Sequence, residues 1–145
     1  MGQATPKIRD FAERLIAYEA KRKTTLEAKN PLAALVDERL RPHMAALMGS
    51  VGFRALLSRA LVLANAEIPW LRAARVKVDG SLEGLDELQA RVGPDEFLEG
   101  CVVLLAQFLG LLVTFVGEDL TLRLVREGWP KLPAHEFDFR KGDEK

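Results

Sequence analysis

The feature that most constrains this chain is a run of 18 consecutive residues without a charged side chain, from residue 100 to residue 117. Within the run only Cys101, Gln107 and Thr114 carry a polar or sulfur-bearing side chain. A helix of this length is about 27 Å long, close to the thickness of the hydrocarbon core of a membrane. Because apolar residues cover every side of that helix, the run predicts either the central helix of a bundle or a membrane span.

The flanks of the run favour a core helix over a membrane span. Glu99 and Glu118 border it, whereas Lys, Arg, Trp and Tyr are the residues that usually flank a span. Three glycines dilute its hydrophobicity, and several other amphipathic segments are available to surround it. We therefore expect residues 100–117 to be buried in a bundle, and we keep insertion of this segment into a membrane as the alternative.

The remainder of the chain reads as helical, because its apolar stretches are rich in Leu and Ala at spacings of three and four. The prediction is an all-α, single-domain bundle of about five helices around a central apolar helix near residues 95–128. With 145 residues and 48% hydrophobic content, the chain is long enough to bury a sizeable core. We assign residues 1–130 to the bundle domain and residues 131–145 to a short charged C-terminal tail.

Proline, glycine and serine mark the expected helix boundaries. The first helix is predicted from Thr5 or Pro6 to about residue 28, with Thr5 as its N-cap. Pro42 lies eleven residues into the second helix and predicts a kink near Arg39. Further helices are predicted at residues 51–67 after a break at Gly49, at 82–92 after a cap at Ser81, and at 95–128 with a break allowed at Gly117.

One short motif resembles the start of a calcium-binding loop but does not complete it. Asp79, Ser81 and Glu83 provide oxygen atoms at the first, third and fifth positions, with a glycine at the sixth. The twelfth position, which must supply a bidentate carboxylate, is Ala90. We therefore predict a turn here, without calcium.

The sequence lacks the residue patterns of the common catalytic and metal sites. His43 and His135 are the only histidines and have no partner at zinc spacing, and Ser50 is not in a nucleophile elbow. Cys101 lies inside the apolar run, where a buried thiol is expected. We expect a protein that is not an enzyme and that has no metal and no cofactor.

Charge is divided unevenly between the two halves of a neutral chain. Residues 1–77 contain 14 Lys or Arg against 7 Asp or Glu, and residues 78–145 contain 7 against 14. This division favours contact between the halves, within one chain or between subunits. It argues against a nucleic-acid partner, since the basic residues are spread over three segments. The polar N-terminus lacks a signal-type apolar region, so we expect a cytoplasmic protein.

These observations predict a non-enzymatic helical interaction or regulatory module that self-associates, as a homo-oligomer, or docks to a partner protein. Aromatic and Arg residues dominate binding hot spots, and charged residues set the register of an interface. The predicted partner-binding residues are Arg54, Arg59, Glu118, Asp119, Arg123, Arg126 and Trp129.

Two other functions remain open from the sequence. The bundle could enclose a small apolar ligand between the rings of Trp70, Phe108 or Phe115. Alternatively, the protein is a membrane-acting effector that inserts residues 100–117.

Overall fold

The structure is a computed structural model that describes residues 5–22 and 31–132. Helix α1 comprises Pro6–Arg22, and the Thr5 hydroxyl accepts a hydrogen bond from the Ile8 amide at 3.2 Å, which confirms the predicted cap. The predicted end of the first helix and residues 133–145 of the predicted C-terminal tail lie outside the described residues, so they stay predictions.

The second helical run contains the disruption that Pro42 predicts. Helix α2, Pro31–Ala34, continues through a π-helical turn, Leu35–Leu40, into helix α3, Arg41–Glu67. At the junction the Arg41 amide bonds to the Val36 carbonyl, five residues back. A proline lacks an amide hydrogen and clashes with the carbonyl four residues before it, and the wider π turn accommodates both effects.

Three glycines interrupt the helices with the same backbone conformation. Gly49 (φ 80°, ψ 161°) breaks α3. Gly93 (85°, 161°) separates helix α4, Leu85–Val92, from helix α5, Pro94–Val116, and Gly117 (92°, 164°) separates α5 from helix α6, Glu118–Gly128. This region of backbone space is essentially restricted to glycine. The breaks predicted at Gly49 and Gly117 are thereby confirmed.

The segment between α3 and α4 holds a small hairpin. A 3-10 helix, Pro69–Ala73, is followed by strands β1 (Arg75–Val76) and β2 (Leu82–Glu83). The two strands are antiparallel, with Val76 opposite Leu82. The chain is therefore briefly extended on both sides of the turn at Asp79 and Gly80.

The predicted helix cap at Ser81 is wrong. The Asp79 carboxylate accepts hydrogen bonds from the Ser81 amide at 3.0 Å and from its hydroxyl at 2.6 Å. These bonds lower the pKa of Asp79, and they form a turn that leads into β2 instead of a helix. Helix α4 begins only at Leu85, after Gly84 in the left-handed conformation.

The described residues form a small all-α bundle of five helical runs, as predicted, with the apolar helix α5 packed against both α1 and α3. The Phe53 ring of α3 contacts the Phe108 ring of α5 edge-on at 5.8 Å. Trp70 stacks on Phe97 near the start of α5, and its ring lies over Gly100, where a Cβ atom would be 2.5 Å from it. Glycine at position 100 thus creates the space for this indole.

Candidate interaction surface

Two helices of the described residues are long and apolar enough to cross a membrane by length and composition, Leu32–Glu67 and Pro94–Val116. They differ in how far the bundle covers them. In the most apolar 18-residue window, 56% of the residues of Pro94–Val116 are buried, against 22% for Leu32–Glu67. The bundle therefore leaves apolar side chains of α3 on its outside.

Three of the five large apolar side chains that the described residues expose are Leu47, Val51 and Phe115. Phe115 is 69% exposed although it belongs to the most apolar helix, and Val51 is 68% exposed. Leu47 and Val51 lie on either side of the Gly49 break. We call these three residues, together with Arg54 and Glu118 next to them in sequence, the Phe115 surface.

The direction of the helices places Val51 and Phe115 toward the same end of the molecule. Along the chain, Phe53 meets Phe108 and Trp70 then meets Phe97, so α3 and α5 run in opposite directions. Val51 precedes Phe53 and Phe115 follows Phe108, so both lie beyond the ring contact along the helix axes. Val51 is about 200° around α3 from Phe53, so it points away from α5. At 1.5 Å per residue, Phe115 is about 10 Å past Phe108 along the axis of α5.

The helix breaks explain why Phe115 stays uncovered. Gly117 ends α5 two residues after Phe115, and the chain then turns away into α6. Gly49 similarly breaks α3 two residues before Val51. Large exposed apolar patches on a soluble protein mark sites of protein or membrane contact.

Most of the predicted partner-binding residues are at least partly accessible. Arg59, Glu118, Asp119 and Arg123 are exposed, and Arg54 and Arg126 are half-buried. Asp119 and Arg126 each take part in an interaction within the chain. The side chains of Arg54, Arg59, Glu118 and Arg123 make no hydrogen bond or ion pair in the part of the chain that the structure describes.

Trp129, expected to anchor a partner, is instead enclosed in the monomer. Its side chain is 1% exposed, and its indole Nε1 donates a hydrogen bond to Glu19 Oε2 at 2.9 Å. The same carboxylate oxygen accepts a bond from Arg39 Nε at 3.0 Å. The Arg39 guanidinium also lies 5.7 Å from the centre of the Trp129 ring. Trp129 is therefore not available to a partner, and its contacts join the segment after α6 to α1 and to the π turn.

We call Glu19, Arg39, Gly128 and Trp129 the Glu19 cluster. Arg39 donates a bond to the Gly128 carbonyl at 2.9 Å, and a Cβ atom on Gly128 would lie 2.6 Å from the Arg39 carbonyl oxygen. Gly128 is therefore needed for the end of α6 to approach the π turn. Sequence reasoning missed Glu19 and Arg39, because their partners are 20 to 110 residues away and no local motif marks them.

The three rings considered for an apolar ligand lie in different environments. Phe108 is buried against Phe53, Trp70 is half-buried on Phe97, and Phe115 is exposed. None of these rings lines either of the two open grooves described next, and the apolar-ligand function stays a prediction.

Two open grooves are present elsewhere on the described surface. One, of about 430 Å³, lies between α1 and α5 and combines apolar residues such as Ile16 and Val102 with the carboxylates of Glu13 and Glu99. The other, of about 620 Å³, lies beside the hairpin and is lined by Lys77, acidic residues and backbone. Neither lining contains Ser, Cys or His.

The described residues offer little for metal or thiol chemistry. Residues 5–22 and 31–132 contain no group of three His, Cys, Asp or Glu side chains that could hold a metal ion. The Cys101 thiol is buried in α5, and burial raises its pKa to about 12. A thiol with this pKa is protonated and unreactive at neutral pH.

No protein-family model, curated protein or solved structure matches the chain. The chemistry and exposure of its own residues are therefore the basis for a functional proposal.

Proposed function

We propose that this protein is a non-enzymatic helical interaction module that associates with itself or with a partner protein through the Phe115 surface. The exposure of Phe115, at the end of an otherwise mostly covered helix, is the observation that carries this proposal. Burying a side chain such as Phe or Val contributes about 1.5–3 kcal/mol, so covering Leu47, Val51 and Phe115 in a complex would favour association.

The character of the rest of the surface supports a binding role over catalysis. The two grooves are open and lined by charged and aliphatic side chains, without a nucleophile or an imidazole base. The one cysteine of the chain is buried and protonated. The Phe115 surface, in contrast, combines aromatic and aliphatic residues with adjacent charges, which is the usual composition of a protein interface.

The test compares Phe115→Ser and Val51→Ser with the control Val62→Ser. Val62 is 65% exposed and lies eleven residues, about 16 Å, from Val51 toward the other end of α3. Light scattering on a size-exclusion column measures self-association, and quantitative capture with each variant as bait measures binding to other proteins. We expect association to fall for Phe115→Ser and Val51→Ser and to persist for Val62→Ser. Association that is equal in all three variants, or absent from the unmodified protein, contradicts the proposal.

A second candidate function is membrane action by residues 100–117, favoured by the length and hydropathy of α5. Insertion would require the bundle to open, since α1 and α3 pack against this helix. Flotation of the protein with lipid vesicles, in the absence of detergent, tests this function directly. Quantitative recovery with the vesicles would favour it over the interaction module.

A further inference from the structure

The part of α3 that follows the Gly49 break has one side in the core and the opposite side uncovered. Its buried side chains are those of Phe53, Leu57, Ala60, Leu61 and Ala64. At about 100° per residue, five exposed residues lie within about 80° of one another on the opposite side of the helix. These residues, which we call the outer face of α3, are Val51, Ala55, Ser58, Val62 and Ala66.

The outer face of α3 is a continuous apolar surface on one helix. It extends about 22 Å along the helix axis, and Val51 and Val62 are 68% and 65% exposed. The helical run Leu32–Glu67 is apolar enough for a membrane span, yet only 22% of its most apolar window is buried. The helix therefore presents apolar surface that the described bundle does not cover.

The charges beside the outer face of α3 are positive. Arg54 lies about 60° to one side of Val51, and Arg59 lies about 80° to the other side. Neither arginine makes a hydrogen bond or an ion pair in the described part of the chain. The only acidic residue of α3 is Glu67, at its last position, and it pairs with Arg9. The apolar centre thus has a cation on each margin.

This arrangement is complementary to a membrane surface that contains anionic lipids. Anionic headgroups attract arginines that lie close to the surface. The long arginine side chain keeps its charge at the headgroups while neighbouring apolar residues lie deeper. The outer face of a second copy does not fit, because its charges are positive as well. A protein partner usually places an anchoring side chain in a pocket, but no residue of the outer face lines either groove described above.

We propose that the outer face of α3 binds peripherally to membranes that contain anionic lipids, with Arg54 and Arg59 at the headgroups and Val62 toward the acyl chains. The bundle stays closed in this mode of binding, which therefore differs from the insertion of residues 100–117. The inference goes beyond the interaction module, because it adds a partner of different chemistry. Arg59 and Val62 do not belong to the Phe115 surface, so they allow the two ideas to be tested separately.

The experiment is flotation of the full chain with phosphatidylcholine vesicles that do or do not contain phosphatidylserine, without detergent. We expect the unmodified protein to float with the phosphatidylserine vesicles and not with phosphatidylcholine alone. Arg59→Glu and Val62→Asp should each lower the partition coefficient at least about tenfold, because each places a carboxylate against the anionic surface. Arg59→Lys keeps the positive charge and should bind as the unmodified protein does.

The matched control is Arg91→Glu, which makes the same change in net charge on α4. Arg91 is exposed and lies outside the outer face of α3, so its reversal should leave the partition coefficient unchanged. Circular dichroism of each variant checks that its helical content is retained.

A fluorescent label reports which side of the bundle meets the lipid. Cys101 is buried and unreactive, so the label attaches to a single introduced cysteine, Val62→Cys or Ala90→Cys. Ala90 is exposed on α4 and serves as the reference position. Emission of an environment-sensitive label should shift to shorter wavelength at position 62, and not at position 90, when phosphatidylserine vesicles are added.

The outcomes separate this inference from the proposed function. Absence of flotation with phosphatidylserine vesicles overturns the inference, and so does equal flotation with phosphatidylcholine alone. Flotation that persists in both Arg59→Glu and Val62→Asp also overturns it and assigns the binding to another segment, such as α5. A protein that associates through Phe115 but does not float retains the interaction module and loses the membrane surface. Phe115→Ser leaves the outer face of α3 unchanged and should float as well as the unmodified protein.

Discussion

The helical run Leu32–Glu67, which contains α3, and helix α5 are both apolar enough to cross a membrane by length and composition, yet the bundle covers them to very different extents. Helix α5 is packed by α1 and α3, and its rings at positions 97 and 108 are almost fully buried. Helix α3 buries only one side and leaves Val51 and Val62 more than 60% exposed. Apolar content is thus a property of the helix alone, whereas burial depends on how many neighbours surround it. A covered apolar residue such as Phe108 therefore stabilises the monomer, whereas an uncovered one such as Val62 contributes little to its stability.

The largest expected difference concerns equivalent truncations in the two helices. Phe108→Ala should lower the free energy of unfolding by about 3–5 kcal/mol, because it leaves a cavity beside Phe53. Val62→Ala, on the exposed side of α3, should change it by about 0.5 kcal/mol or less. Chemical denaturation followed by circular dichroism measures both. Equal losses for the two variants would mean that α3 is covered as fully as α5.

Gly100 in α5 and Gly52 in α3 differ in how closely other side chains approach them. Gly100→Ala in α5 should destabilise the fold by about 1–3 kcal/mol, since the new methyl group meets the Trp70 ring. Gly52→Ala in α3 meets only the Met48 side chain, at 3.3 Å, and should change stability by about 1 kcal/mol or less. Thermal unfolding of both variants tests this difference. A stable Gly100→Ala protein would show that Trp70 moves away at little cost.

The helix breaks are where α3 and α5 should behave alike. Gly49 and Gly117 share a backbone conformation that alanine adopts only with strain, and nothing crowds a Cβ atom at either position. Gly49→Ala and Gly117→Ala should therefore each cost about 1–3 kcal/mol through backbone strain alone. Denaturant titration measures the loss. A variant of unchanged stability, with helix content that rises, would indicate that the helix continues through the break.

The smallest effect is chemical and leaves the fold intact. Burial in α5 raises the pKa of the Cys101 thiol to about 12, so the native protein should react negligibly with a thiol reagent near neutral pH. Val62→Cys should add one rapidly reacting thiol on the exposed side of α3. The number of thiols modified per chain, with and without denaturant, gives the result. Rapid modification of Cys101 in the native protein would show that α5 becomes accessible to solvent.

The helical class, the apolar central helix and the breaks at Gly49 and Gly117 were predictable because local sequence determines them. Glycine conformation and proline chemistry act within one turn of the chain, so their effects are visible in the sequence. The cap at Ser81 was predicted wrongly, because the Ser81 hydroxyl donates to the Asp79 carboxylate and the residues that follow form β2.

The candidate surface was only partly predictable. Arg54 and Glu118 were identified by their charge beside an apolar face, which the sequence shows. The exposure of Phe115 was not, because it depends on how far α3 extends along α5. The burial of Trp129 was also missed, since it requires Glu19 and Arg39 from distant segments.

The contacts of the Glu19 cluster can form only after a long stretch of the chain has been synthesised. Trp129 follows Glu19 by 110 residues, so the ribosome must add all of these residues before the indole and the carboxylate can meet. Until then Glu19 of α1 and Arg39 of the π turn lack the indole that both contact in the folded protein. Contacts this distant in sequence form slowly, because a long loop must close first. Trp129 is therefore the residue whose synthesis completes the Glu19 cluster.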